Sequence, residues 1–284
     1  MAIYGRTDLA AEAHRLWRER TAAATALPGV RAEETSAEGF PVTAVEILDS
    51  EGERVLGKPR GRYYELRMPA LFPQHGEDFE RAVSAVSALI RRCLPRPLPS
   101  SALVAALGNP DVTPDALGPL CAGHILVTRH LLEEPAFRGF RPVALCRPGV
   151  LGTSGVESAF QVQTLCQTLR PGCVLAIDAL AGVEPDALCR CVQVCDAGIA
   201  PGSGVGNDRE ALSPATLGVP VAALGVPTVI DAAALGAGGS FAGLFVTPRY
   251  IDSAVRQYAR LLGYAINAAL QEDLRVADME LLLT

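Results

Sequence analysis

Residues 101–119 read SALVAALGNPDVTPDALGP, and this stretch decides the fold. The apolar run Ala102 to Leu107 has the length and composition of a strand buried on both faces, as in a parallel sheet. Gly108-Asn109 stops it, a polar loop follows, and Pro114-Asp115 has the form of a helix start. Cys173 to Ile177 repeats the design and ends on Asp178. Two buried-type strands, each delivering a carboxylate at its C-terminal end, predict a crevice there, because open parallel sheets bind ligands outside that edge.

Working outward, strands over 101–107, 142–146, 173–177, 190–195 and 220–224 alternate with helices over 114–134, 156–169 and 184–188. An amphipathic helix over 248–270 closes the chain. This order predicts an α/β fold: a mainly parallel sheet with helices on both faces, phosphorylase/hydrolase-like, in a single domain over 1–284. Upstream, Asp8 is placed to cap an Ala-rich helix over 8–27. Residues 40–68 read as extended segments around a turn at 49–53, which predicts an N-terminal β-meander. Phe79, Val83, Val86, Ile90 and Cys93 then lie on one helical stripe, and Pro95, Pro97 and Pro99 end it.

Of the 284 residues 49% are hydrophobic and 20% charged, with a net charge of -6. The acidic balance argues against a nucleic-acid or anionic-membrane surface. The apolar stretch 216–239 is broken by Pro220, Pro227 and Asp231, too often for a membrane span. With no apolar leader pattern at the N-terminus, a cytoplasmic location is expected. The eight cysteines lack the C-x2-C pairing of structural zinc sites. The alternation in CRCVQVC puts Cys189, Cys191 and Cys195 on one strand face, and buried reduced thiols are the expectation for all eight.

Each candidate site residue has a plainer alternative. Asp115 has the position of an ordinary helix cap. Asp178 is harder to read that way, since it follows an apolar strand and precedes Ala179-Leu180-Ala181. A carboxylate so placed must be paired, hydrogen-bonded or protonated. Two such groups at neighbouring strand ends would share a proton, one activating water and the other donating to the substrate. Neither D-[ST]-G nor G-x-S-x-G occurs, and the loop Gly202-Ser203-Gly204-Val205-Gly206-Asn207 matches no nucleotide fingerprint. His124 and His130 lie on different helix faces, so no metal and no cofactor is expected. Backbone N–H groups of the glycine loops, at Gly152, Thr153, Ser154, Gly204, Gly206 and Asn207, are candidates for binding substrate or an oxyanion, against plain tight turns.

Taken together, RTDLAAEA (6–13), GKPRGRY (57–63), GNPDVTPDALGP (108–119), PGVLGTSGVES (148–158), LAIDALA (175–181), DAGIAPGSGVGNDR (196–209), GVPVAALGVPTVIDA (218–232) and VTPRYID (246–252) resemble the spore germination protease family. The shorter strings TRHL (128–131) and FRPV (140–143) fit the same pattern. That family degrades small acid-soluble spore proteins. The resemblance implies an atypical aspartic endopeptidase whose essential aspartates fall on Asp115 and Asp178. It further implies a precursor that loses a short N-terminal segment, with residues 1–8 as propeptide and the processing bond between Asp8 and Leu9. It implies a homo-oligomer, a tetramer, working in the spore core or forespore on small acid-soluble spore proteins. One departure is a shortened insertion site at 233–245. The alternatives are a metal-sensing endopeptidase of the hydrogenase-maturation type, which is similar around the GN and DALGP strings, and a non-catalytic spore protein on the same scaffold.

Overall fold

In a computed structural model of the protein, residues 7–21, 27–206, 209–232, 241 and 243–283 are described. These hold strands β1 (Val30–Ala37), β2 (Phe40–Ile47), β3 (Gly61–Arg67), β4 (Ala102–Ala106), β5 (Val143–Cys146), β6 (Cys173–Gly182), β7 (Cys191–Cys195), β8 (Val221–Asp231) and β9 (Phe245–Val246). All belong to one sheet, ordered β1-β2-β3-β7-β8-β6-β4-β5, with β9 beside β8. The half containing β8, β6, β4 and β5 is parallel. The half from β1 to β7, and β9, is antiparallel. The N-terminal meander therefore exists, joined to the parallel strands through β7.

The helices are α1 (Ala10–Thr21), α2 (Ser50–Leu56), α3 (Gly76–Cys93), α4 (Leu117–Cys121), α5 (Leu151–Ser154), α6 (Ser158–Leu169), α7 (Pro214–Leu217), α8 (Ile251–Leu270) and α9 (Val276–Leu282). Strand side chains alternate between faces, so the sheet has two cores. Val104, Leu175 and Ile177 pack with Phe79 and Leu89 of α3 and Tyr258 and Leu262 of α8. Leu103, Ala105, Val174 and Ala176 pack with Ala10 and Ala13 of α1 and Val162 and Cys166 of α6. The predicted stripe of α3 is buried throughout, each large apolar side chain contributing roughly 1.5–3 kcal/mol.

Several sequence expectations need correction. The helix expected over 114–134 is a 3-10 turn at Thr113–Asp115, the short α4 and a second 3-10 turn at Ala122–His124. Beyond it, tertiary hydrogen bonds replace helical ones: Leu126 N–H donates to Asn267 Oδ1 (2.9 Å) and Thr128 N–H to the Val143 carbonyl (3.1 Å). The turn at 49–53 is the start of α2, capped by Asp49 Oδ1, which accepts from Glu51 N and Gly52 N (3.0 Å each). β1 precedes the expected meander and carries mostly exposed side chains. Cys189, with φ 52°, precedes β7 and packs into the core opposite to that of Cys195. All eight cysteines are free thiols.

Candidate active site

The chain leaves β4 for β5 through α4, on the α3/α8 face, and reaches β6 through α6, on the other face. Because β5 and β6 lie on opposite sides of β4, the two connections diverge and open a crevice at the carboxyl ends of β4 and β6. Asp115 enters it from the loop after β4, and Asp178 from β6 itself. Both line one cavity of about 520 Å3, within the range of ligand pockets.

Asp115 is half-buried and does not cap α4. Its Oδ2 accepts from Asn109 N (2.8 Å), which folds the loop back on the end of β4. Gly108 permits this, with φ 113° and no room for a Cβ against the Asp115 carbonyl oxygen. Burial raises the Asp115 pKa to about 6, the Asn109 N–H opposing only in part.

Asp178 does not end its strand. β6 continues to Gly182 because β8 runs beside it, pairing Asp178 with Gly225 and Gly182 with Ile230. On the other side β4 has already stopped, its last ladder partner being Ile177, so the Asp178 side chain meets the crevice where a neighbouring strand is missing. It is 4% exposed, and Oδ1 accepts from Ala179 N (2.9 Å). Burial first, then the charge of Asp115 and then that of Asp8, hold its pKa well above the usual carboxylate range. With its pKa at about 6, Asp115 is mostly ionised at neutral pH, whereas burial and the neighbouring acids favour the protonated form of Asp178.

A third carboxylate, Asp8, lines the same cavity. Its Oδ1 accepts from Ser203 Oγ (2.6 Å) and its Oδ2 from Ala181 N (2.9 Å), so it is held by the crevice and does not cap α1. Behind it a second cavity of about 510 Å3 is lined by Lys58 and Gln193. Burial lowers the Lys58 pKa, with Asp8 the largest opposing influence. Leu9 is fully buried, and the Asp8 carbonyl accepts from Gln193 Nε2 (3.0 Å).

The glycine-loop candidates fare differently. Gly152, Thr153 and Ser154 are exposed in α5, off the cavity wall, which is formed there by Gly149, Val150 and Leu151. The N–H groups of Thr153 and Ser154 already donate to the Val150 carbonyl (3.0 and 3.1 Å), so neither is free for an oxyanion. Gly206 N–H donates to the Ser203 carbonyl (3.2 Å). Gly204 is buried and leaves no room for a Cβ against Asp8 and Ala181; it lets the loop close on Asp8. Asn207, and most of the shortened insertion site, lie outside the described residues. Sequence reasoning missed Lys58, Ser203 and Thr228 as cavity residues, since none stands in a pattern that marks chemistry by itself. Among the described residues no group of His, Cys, Asp and Glu could hold a metal, and no helix is long and apolar enough to cross a membrane.

A sequence profile described as germination protease matches residues 9–240. The chain belongs to the germination protease family. The germination protease of Caldanaerobacter subterraneus subsp. tengcongensis is 35% identical over 98% of both chains. That of Clostridium perfringens (strain ATCC 13124) is 34% identical over 96% of this chain and 97% of its own. The Bacillus cytotoxicus germination protease is 41% identical over 81% of this chain and 64% of its own length. Among solved structures, a [NiFe] hydrogenase maturation protease HycI from Thermococcus kodakarensis KOD1 aligns with 64% of this chain and 98% of its own, at 16% identity and a TM-score of 0.39. As a member of this family, the chain is a peptidase of spore germination.

Proposed function

We propose that the chain is an aspartic-type endopeptidase in which Asp115 is the general base and Asp178 the general acid. The observation that carries the reading is the placement of two carboxyls in one cavity with unequal burial, Asp178 enclosed and Asp115 half-buried, which favours the proton on Asp178. Ionised Asp115 takes a proton from water as its oxygen attacks the peptide carbonyl carbon. Asp178 gives its proton to the departing nitrogen as the carbon–nitrogen bond breaks, and the proton gained by Asp115 then returns to Asp178. No covalent intermediate is involved, and acid–base catalysis of this kind contributes roughly 10²–10⁴-fold. Replacing either residue by Asn, in Asp115→Asn or Asp178→Asn, is expected to lower the rate on a small acid-soluble spore protein by at least about 100-fold. A normal rate in either variant overturns the assignment.

Small acid-soluble spore proteins are the proposed substrates, on the strength of the family resemblance, with the spore core or forespore as the site of action. The segment around Asp8 supports a precursor that processes itself between Asp8 and Leu9. Its carboxylate already sits in the cavity beside Asp178, hydrogen-bonded to Ser203 and Ala181. Mass spectrometry of aged protein is expected to show loss of residues 1–8 in the wild type and their retention in Asp178→Asn. Equal processing in both contradicts a self-processing step.

A further inference from the structure

β6 and β8 pair in register until Leu180 meets Pro227, after which Ala181 meets Val229. Thr228 is the extra residue of a β-bulge, a device that re-aims one side chain and is over-represented beside active sites. Here it leaves Thr228 on the wall of the cavity that holds Asp115 and Asp178. The residue is 1% exposed, and its Oγ1 has no hydrogen-bond partner among the described residues. Leaving a buried hydroxyl unsatisfied costs roughly 1–3 kcal/mol, so its presence on this wall needs an explanation.

The other hydroxyls on this wall are engaged. Ser158 Oγ donates to the Gly149 carbonyl (2.9 Å), and Thr247 Oγ1 donates to the carbonyl of Thr228 itself (2.9 Å). That second bond engages the Thr228 backbone, and the Thr228 hydroxyl itself has no partner among the described residues. In the reaction above, Asp178 delivers its proton to nitrogen and Asp115 accepts one from water, so neither neutralises the carbonyl oxygen. That oxygen acquires a full charge when water adds, in a cavity where charge is poorly solvated.

We infer that the Thr228 hydroxyl is a hydrogen-bond donor of the reacting centre, aimed at the peptide carbonyl oxygen as it becomes an oxyanion. The inference rests on the two-aspartate reading and adds a residue to it. Thr228→Val removes the hydroxyl and keeps the branched shape. Loss of one oxyanion donor lowers kcat by about 10²–10³-fold, with KM changed less than about threefold because the bond forms only in the transition state. Thr228→Ser, which keeps the hydroxyl, is expected to hold kcat within about tenfold of wild type.

Thermal melting separates this role from a structural one. A hydroxyl without a partner in the free protein adds nothing to folding, so Thr228→Val is expected to melt no lower than wild type. A kcat within about threefold of wild type, or a loss accompanied by a lower melting temperature, overturns the inference. Asp178→Asn is assayed beside it. If that variant is inactive and Thr228→Val is normal, only the role of Thr228 fails; if Asp178→Asn cleaves normally, the two-aspartate reading fails first.

Discussion

Asp115 and Asp178 carry the same functional group, and the fold gives them different proton affinities. Asp115 keeps partial access to solvent and one N–H bond from Asn109, whereas Asp178 is enclosed and faces two other acids. The sign of the resulting pH effect follows. Between its ordinary 3.8 and about 6, folded Asp115 holds a proton that the unfolded chain has released, so stability falls as pH rises through that window. Asp115→Asn cannot ionise and removes that fall. Melting curves at pH 4 and pH 7 are expected to differ less in the variant than in the wild type, with the variant the more stable at pH 7. At this scale the sequence made both aspartates legible, because a carboxylate after an apolar strand is costly without a purpose. It did not reveal Thr228, whose aim depends on a register shift between strands far apart in the chain.

Single backbone positions decide whether the elements present these groups correctly. Gly108, with φ 113° and Asp115 against it, turns the chain from β4 into the loop that carries the base. Gly108→Ala is expected to cost at least about 1 kcal/mol in denaturant unfolding and to lower activity more than that loss of stability explains. A wild-type rate would show that the loop does not depend on this turn. Gly204→Ala is expected to loosen the hold on Asp8, seen as faster cleavage of the 7–12 segment by an added protease; unchanged cleavage contradicts that role. Strand identity was legible from apolar runs, and α3 from its stripe. Lengths were not: β6 outruns its apolar core because β8 continues beside it, and the expected 114–134 helix dissolves because Asn267 and β5 supply its hydrogen bonds. The seven-residue α2 had a readable cap in Asp49 and a readable stop in Gly57, whose φ is 66°. The strand-like residues around it masked the signal.

For the whole molecule, the parallel half of the sheet makes the crevice and the antiparallel half brings in its rear wall. Lys58 precedes β3, Gln193 lies on β7, and both stand behind Asp8. The α/β class was visible from the order of segments, but the join through β7 was not, since antiparallel insertion into a parallel series leaves no local mark. We propose that the chain works as a homo-oligomer, in keeping with its family resemblance and with exposed apolar side chains such as Phe160 and Leu48. Light scattering is expected to give four times the 29.8 kDa of the chain, and a monomer would refute assembly. In the proposed reaction two carboxyls of unequal acidity split the peptide bond. Its most direct test is kcat against pH on a small acid-soluble spore protein. The prediction is a rate that climbs through about pH 6 as Asp115 ionises and declines at higher pH as Asp178 loses its proton. A rate independent of pH from 4 to 9 would contradict it.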